Sequence, residues 1–266
     1  MEVIIEGIKV NKVSVLDIPV IYIEPKIIKE KRIAIFLGGL GSTKETLVSY
    51  LNDIAKKGYI AIAFDNYGHG ERGTETRNEI FTRVFGNMRK HGWRILGETV
   101  KDAAKVIDWA IDYFKALPDI RMGGISMGGD ISIALSGLDK RITKVLTIVS
   151  TPDWLRPGMH EIVRPDVLMD PGNPDEISQS LYDEFNPMTH LERYLNGPKI
   201  RAIIGEKDNH IPPENFEGFK RELSILSVEA SKNIDLIYIT GDNSNHIDTI
   251  KRRDEWWESS LEWWLS

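Results

Sequence analysis

Short, unbroken apolar runs alternate along this chain with segments whose apolar residues recur every three or four positions. The runs are Arg32–Leu37 (RIAIFL), Tyr59–Phe64 (YIAIAF), Ile120–Ile125, Thr143–Val149, Lys199–Gly205 and Ile234–Ile239. Between them, Leu47, Tyr50, Leu51 and Ile54 lie at helical spacing, as do Val100, Ala103, Ala104, Ile107, Ile111 and Phe114, and later Phe216, Phe219, Leu223 and Leu226. Met127–Gly137 and Ile250–Leu265 read as two further helices. Buried strands alternating with amphipathic helices are the pattern of a parallel sheet wrapped by helices, an α/β fold. Ahead of the first run, Val3–Ile23 reads as two extended strands joined near Asp17-Ile18-Pro19.

Boundary signals sharpen the pattern. Ser42-Thr43-Lys44-Glu45 predicts a capping box, with Ser42 bonding a backbone N–H and Glu45 reaching back. Lys56, Lys57 and Gly58 close the helix that follows, with cations in the last turn and a glycine cap. Pro118 stops the long helix, and Pro212-Pro213 opens another. The polar stretch from Glu71 to about Arg94 predicts no element of its own. Residues 151–198 break the rhythm with prolines and scattered aromatics, which makes one domain with a cap insertion at 151–198 the economical organisation.

Composition removes whole classes of chemistry. The 266 residues include no cysteine, so thiol nucleophiles, disulfides and thiolate metal sites are excluded. A net charge of −6 disfavours a nucleic-acid partner, which needs a basic stripe. The first 25 residues lack a basic start followed by an apolar run, so no signal peptide is expected. No stretch approaches the roughly 20 apolar residues of a membrane span, and a cytoplasmic location is the default expectation.

One motif carries chemistry. Gly124-Ile125-Ser126-Met127-Gly128 is the only G-x-S-x-G, and it falls where a predicted strand ends and a helix begins, the setting of a nucleophile elbow. A tight turn there exposes the Ser126 hydroxyl, glycines avoid collision two residues either side, and the helix N-terminus favours an oxyanion. The Met127 N–H is then a natural oxyanion donor. Serine needs a base, oriented in turn by an acid. Asp208 follows the Lys199–Gly205 strand and His246 follows the last strand, in the order Ser, Asp, His. Glu206 competes with Asp208 for the acid position; His210 shares the Asp208 loop and is poorly placed as base. His69, His91, His160 and His190 all precede Asp208 and do not fit that order.

On these residues the chain resembles the α/β-hydrolase superfamily, in particular its small esterase and dienelactone-hydrolase-like branch. The likeness is carried by Leu37–Ser42, by Asp65-Asn66-Tyr67-Gly68-His69-Gly70, by Gly124–Gly129 and by the Asp208 and His246 loops. It implies a mostly parallel eight-stranded sheet with helices on both faces, and the Leu40 N–H as second oxyanion donor beside Met127. Many relatives carry histidine where this chain has Gly38, a residue that usually braces the oxyanion loop.

Other signals count for less. Gly68-x-Gly70-x-x-Gly73 lacks the apolar-faced helix and the acid some 20 residues on that a dinucleotide site requires. The Gly39-x-Gly41 loop mimics such a site better, but Lys44 stands where a third glycine belongs. No metal-ligand cluster is expected, and no cofactor is implied. Arg72, Arg77, Arg83, Arg89 and Arg94 read first as a solvated face, with the alternative that one or two border the pocket and attract an acidic substrate. Trp256/Trp257 and Trp263/Trp264 repeat seven residues apart; one of each pair is expected on the sheet, and the other could serve a homodimer contact. Trp154, Met159, Met169 and Tyr182 are the candidate lining of a substrate pocket.

The expected function is hydrolysis of a small or medium carboxylic ester by Ser126, His246 and Asp208. Thioesterases and peptidases share that triad, and a non-catalytic ligand-binding member of the fold is the alternative of another class. A peptidase of the prolyl-oligopeptidase type normally brings a large extra domain, for which 266 residues leave no room.

Overall fold

The computed structural model describes residues 1–27, 30–162 and 164–266. Its strands are β1 (Glu2–Ile5), β2 (Ile8–Val15), β3 (Ile18–Ile23), β4 (Ile33–Leu37), β5 (Ile60–Phe64), β6 (Ile120–Ile125), β7 (Ile142–Ile148), β8 (Lys199–Gly205) and β9 (Ile234–Ile239). They form one sheet in the order β1-β2-β3-β5-β4-β6-β7-β8-β9. Pairing is antiparallel from β1 to β5 and parallel from β5 across to β9. The sheet is therefore mostly parallel, as in the α/β-hydrolase fold.

Nine strands replace the expected eight because the N-terminal segment folds twice. Glu6 and Gly7 both have positive φ (50° and 75°), as do Leu16 and Asp17 (47° and 67°). Two consecutive residues in that region make the tight reversal whose twist suits a hairpin. The first reversal separates β1 from β2, so Val3–Ile23 yields three strands where the sequence pattern suggests two.

The helices are α1 (Val48–Lys56), α2 (Arg77–Gly86), α3 (Trp93–Phe114), α4 (Met127–Leu138), α5 (Glu176–Phe185), α6 (Pro213–Leu226), α7 (Val228–Ser231), α8 (His246–Lys251) and α9 (Arg253–Leu265). Successive strand residues face opposite sides. Ile33, Ile35 and Leu37 join a core with α3, α4 and α6, whereas Ala34 and Phe36 join another with α1 and α9. Both faces are thus covered, which is why these strands read as unbroken apolar runs.

Several local expectations are corrected. The Ser42 capping box does not form: Thr43 precedes a short 3₁₀ turn without a side-chain cap bond, and Glu45 pairs with Lys44 and Lys12 at 3.0 and 3.1 Å. A real capping box lies at Thr76 and Glu79 and starts α2 inside the stretch expected to lack structure. Only Ile80 and Val84 of α2 are buried, so the surrounding charges hide its pattern. The last helix is broken into α8 and α9 at Arg252.

Three of the four C-terminal tryptophans are core residues. Trp256, Trp257 and Trp264 are buried, and Trp257 meets Tyr50 edge-on at 4.9 Å while its indole N–H reaches Asp53. Trp263 lies under the Arg201 guanidinium at 4.5 Å. The outer pair envisaged for a dimer contact is thus engaged within the chain. None of the described helices is long and apolar enough to cross a membrane.

Trp264 is fully enclosed and packs on Phe36 of β4, with ring centroids 5.9 Å apart. Trp264→Ala leaves a void that neighbouring backbone cannot fill, and is expected to cost about 3–5 kcal/mol, read as a lower urea midpoint at unchanged slope.

Candidate active site

The site lies beyond the carboxyl ends of β4, β6, β8 and β9, where the order of strands reverses direction around β4 and a crevice opens. Ser126 occupies the single residue between β6 and α4, with φ 51° and ψ −120°. An L-residue in such a conformation costs on the order of 1–3 kcal/mol and persists only where its surroundings hold it. Its own N–H donates to Ile148 O at 2.7 Å, and its carbonyl accepts from Gly129 N at 2.8 Å. A Cβ at Gly124 would stand 2.6 Å from Leu37 O, and one at Gly128 would overlap the same carbonyl. Both motif glycines are therefore required by the approach of β4 to the elbow.

The structure brings Ser126, His246 and Asp208 together. Asp208, buried in the loop between β8 and α6, accepts backbone N–H bonds from His210 and Ile211 at 2.9 and 2.8 Å through Oδ1. Its Oδ2 faces His246 Nδ1 at 2.8 Å, and His246 Nε2 lies 3.2 Å from Ser126 Oγ. A carboxylate only accepts, so Nδ1 carries the proton and Nε2 offers its lone pair to the hydroxyl. His246 is the first residue of α8 rather than a loop residue; Asn245 caps that helix by accepting from Asp248 N at 2.9 Å. Glu206 takes no part: its carboxylate accepts from Gly241 N.

The Gly38–Ser42 loop passes directly over the elbow. A Cβ at Gly39 would lie 3.3 Å from Ser126 Cβ. Leu40 and Met127 both line the cavity beside Ser126. Met127 begins α4, so its N–H has no carbonyl one turn earlier. The loop's neighbours are polar and buried: Asp65 accepts from Lys44 N at 2.9 Å and Lys44 Nζ at 2.7 Å, and Asn66 Nδ2–H donates to Gly38 O at 3.0 Å. Three carboxylates, of Asp65, Glu71 and Glu45, hold the buried Lys44 ammonium, whose pKa is raised although burial opposes that.

The cavity measures about 360 Å³ and is walled chiefly by Leu40, Leu47, Phe81, Phe85, Met88, Met159, Ile162 and Ile247. Of the expected pocket residues only Met159 reaches it. Trp154 is enclosed, its N–H bonded to Asn186 Oδ1 and its carbonyl accepting from the Trp93 indole. Tyr182 stacks on Trp93 at 4.2 Å, and Met169 sits in the same core. Trp154 and Tyr182 are thus consumed in seating the 151–198 segment on Trp93 of α3. Phe81, Phe85 and Met88 take their place, on and just past α2. The i, i+4 spacing of the two phenylalanines, stacked at 5.5 Å, was the sequence signal for them. Arg77 does border the cavity, resting against Gly41, as does the buried Arg156, which pairs with Asp130 beneath the elbow. Among the described residues no cluster of three or more His, Cys, Asp or Glu is arranged to hold a metal ion.

His210 lines the cavity 4.9 Å from the His246 ring, and its Nδ1 donates to His160 O at 2.8 Å. Burial, and then the nearby His246, hold it well below the ordinary histidine value of 6.5. The unfolded chain then binds the extra proton, so this contribution to stability is complete above pH 6.5 and declines as the pH falls below it. His210→Gln is expected to lose less stability than the wild type between pH 7.5 and about 5 in urea titrations. Equal losses in the two proteins would assign the acid sensitivity elsewhere.

Comparison with known proteins bears on the family and the fold. The chain is 24% identical over 209 residues to a Bacillus subtilis (strain 168) protein named "Putative hydrolase YtaP", covering 78% of this chain and 66% of that protein, just under two thirds of its length. It superposes on an acylaminoacyl peptidase of Pyrococcus horikoshii with a TM-score of 0.65 at 17% identity, covering 96% of this chain and 40% of the peptidase. It superposes on Est1E of Butyrivibrio proteoclasticus, solved with ferulic acid bound, with a TM-score of 0.62 at 19% identity and 98% coverage of each chain. The sequence model of the prolyl oligopeptidase family matches residues 47–266, the strands and helices from the 3₁₀ turn before α1 to the C-terminal tryptophans. That match rests on no additional domain, the feature on which length alone had set this family's peptidases aside. By this match over most of its length, the chain belongs to the prolyl oligopeptidase family.

Proposed function

We propose that this protein is a serine hydrolase that cleaves small or medium carboxylic esters through an acyl-enzyme. The observation that carries the reading is the relay from Ser126 Oγ to His246 Nε2 at 3.2 Å and from His246 Nδ1 to Asp208 at 2.8 Å. Ser126 Oγ attacks the ester carbonyl as its proton passes to His246 Nε2. Asp208, fixed by two backbone N–H groups, holds the imidazole and stabilises its charge. The Leu40 and Met127 N–H groups receive the oxyanion, each worth roughly 3–4 kcal/mol of barrier. Collapse expels the alcohol, which takes the His246 proton. Water then repeats the sequence on the acyl-enzyme, releasing the acid and restoring Ser126. The segment between β7 and β8 acts as a cap, with Met159 and Ile162 closing an apolar space sized for the acyl or alcohol part.

A second reading, peptide or acylated-peptide hydrolysis by the same triad, is favoured by the family's name and by the superposition on the acylaminoacyl peptidase. The amine leaving group needs its proton from His246 even more than an alkoxide does.

A fluorophosphonate probe is expected to label Ser126 alone in the wild type, and labelling to vanish in Ser126→Ala and His246→Ala. Ester turnover by either variant should fall by roughly 10⁴-fold or more, and by a similar factor in Asp208→Asn, which disturbs the tautomer. Absence of both labelling and turnover in folded wild-type protein at neutral pH would sink the proposal. Paired nitrophenyl esters and nitroanilides of matched acyl groups separate the two readings. An ester-to-anilide ratio of kcat/KM far above that of a good peptidase supports the first, and parity supports the second.

A further inference from the structure

The loop that presents Leu40 must be stiff, because its N–H has to meet a charge that exists only during the reaction. A side chain at position 38 cannot provide the stiffness here: a Cβ on Gly38 would stand 2.7 Å from Ser42 Cβ. The restraint arrives instead from the end of β5. Asn66 Nδ2–H donates to Gly38 O at 3.0 Å, at the start of the loop. Its neighbour Asp65 grips the far end, accepting from the backbone N–H of Lys44 at 2.9 Å and from its ammonium at 2.7 Å. Leu40 lies between these two holds, two residues past the first. All three residues are at most 2% exposed. Gly70 belongs to the same assembly, since a Cβ there would fall on the Asp65 carboxylate.

Asn66 is also an uneconomical residue for mere packing. Its Oδ1 is buried without a hydrogen-bond partner among the described residues, which carries a desolvation cost. Turning the amide over would set Oδ1 against Gly38 O, acceptor facing acceptor, so the orphan oxygen comes with the useful Nδ2–H. A polar group kept at a cost beside a reacting centre is a sign of function.

We propose that Asn66, backed by the Lys44–Asp65 pair, is a positioning residue that holds the Leu40 N–H in register with Ser126. This inference rests on the hydrolase reading above. Asn66 touches no substrate; it acts through the Gly38 carbonyl. Asn66→Ala removes the donor and the orphan acceptor together but strands the buried Gly38 carbonyl, so the melting temperature should fall and the kinetics are read at a temperature where the variant is folded. Its kcat for a nitrophenyl ester should fall about 10- to 100-fold with KM within twofold, because only the transition state uses the displaced N–H. Asn66→Asp keeps the shape but, when ionised, cannot donate. Its deficit relative to wild type should be largest at pH 8 and shrink towards pH 5.5 as the carboxyl gains a proton and regains a donor.

A folded Asn66→Ala enzyme with kcat within twofold of wild type overturns the inference, as does a loss carried by KM. If Asn66→Ala does not fold, an Asn66→Asp deficit that is constant with pH overturns it equally. No turnover by the wild type itself is a different result: it overturns the hydrolase reading, and this inference with it.

Discussion

At the end of β6, three pieces of backbone crowd into a space that admits no side chain. The Leu37 carbonyl approaches Gly124 and Gly128 so closely that a Cβ on either would collide, and Ser126 is turned into a conformation that L-residues avoid. That crowding aims the hydroxyl outward and sets the first N–H of α4 beside it. It also brings the Gly38–Ser42 loop over the serine. The strain stays because β4, β6 and β7 over-determine it: the Ser126 N–H is bonded to Ile148, and the following turn to Ser126 itself.

Most of the polar groups that support this point are buried and met by the backbone or by an opposite charge, with Asn66 Oδ1 and Arg156 Nε left without a partner among the described residues. Asp208 is held by two N–H groups before it meets His246, and Lys44 is enclosed by carboxylates. Asp130, one turn into α4, has its carboxyl raised by burial and is countered by Arg156. Breaking any one of these leaves a partner stranded in a low dielectric, which makes the site rigid as a unit. The apolar cavity, by contrast, is assembled from side chains on α2 and on the segment after β7, elements outside the sheet. The Ser126–His246–Asp208 cluster and the wall of the cavity are thus built from different parts of the chain. The same fold is seen in an acylaminoacyl peptidase and in Est1E, and a fold by itself does not fix the substrate.

Most of the framework was legible from residue order. Strands buried on both faces announce themselves as apolar runs, and β8 and β9 begin and end where their runs do. The serine motif was legible because its glycines answer a local steric need. The N-terminal hairpin was missed because Glu6-Gly7 is an unassertive turn signal, and α2 because two buried residues among charged and polar neighbours make a faint stripe.

The sequence by itself determined the parallel sheet, the elbow and the strand ends after which Asp208 and His246 follow Ser126, because each depends on short-range sterics or on periodic apolar spacing. Only the tertiary structure decided which aromatics face the cavity. Trp154 and Tyr182 look like pocket residues in one dimension, yet they are spent on Trp93, while Phe81 and Phe85 arrive from a helix disguised by charge. It also decided that Asn66, 28 residues from Gly38, meets the loop that passes over Ser126. Such contacts form between segments distant along the chain, and no local pattern encodes which of two similar side chains a third will reach.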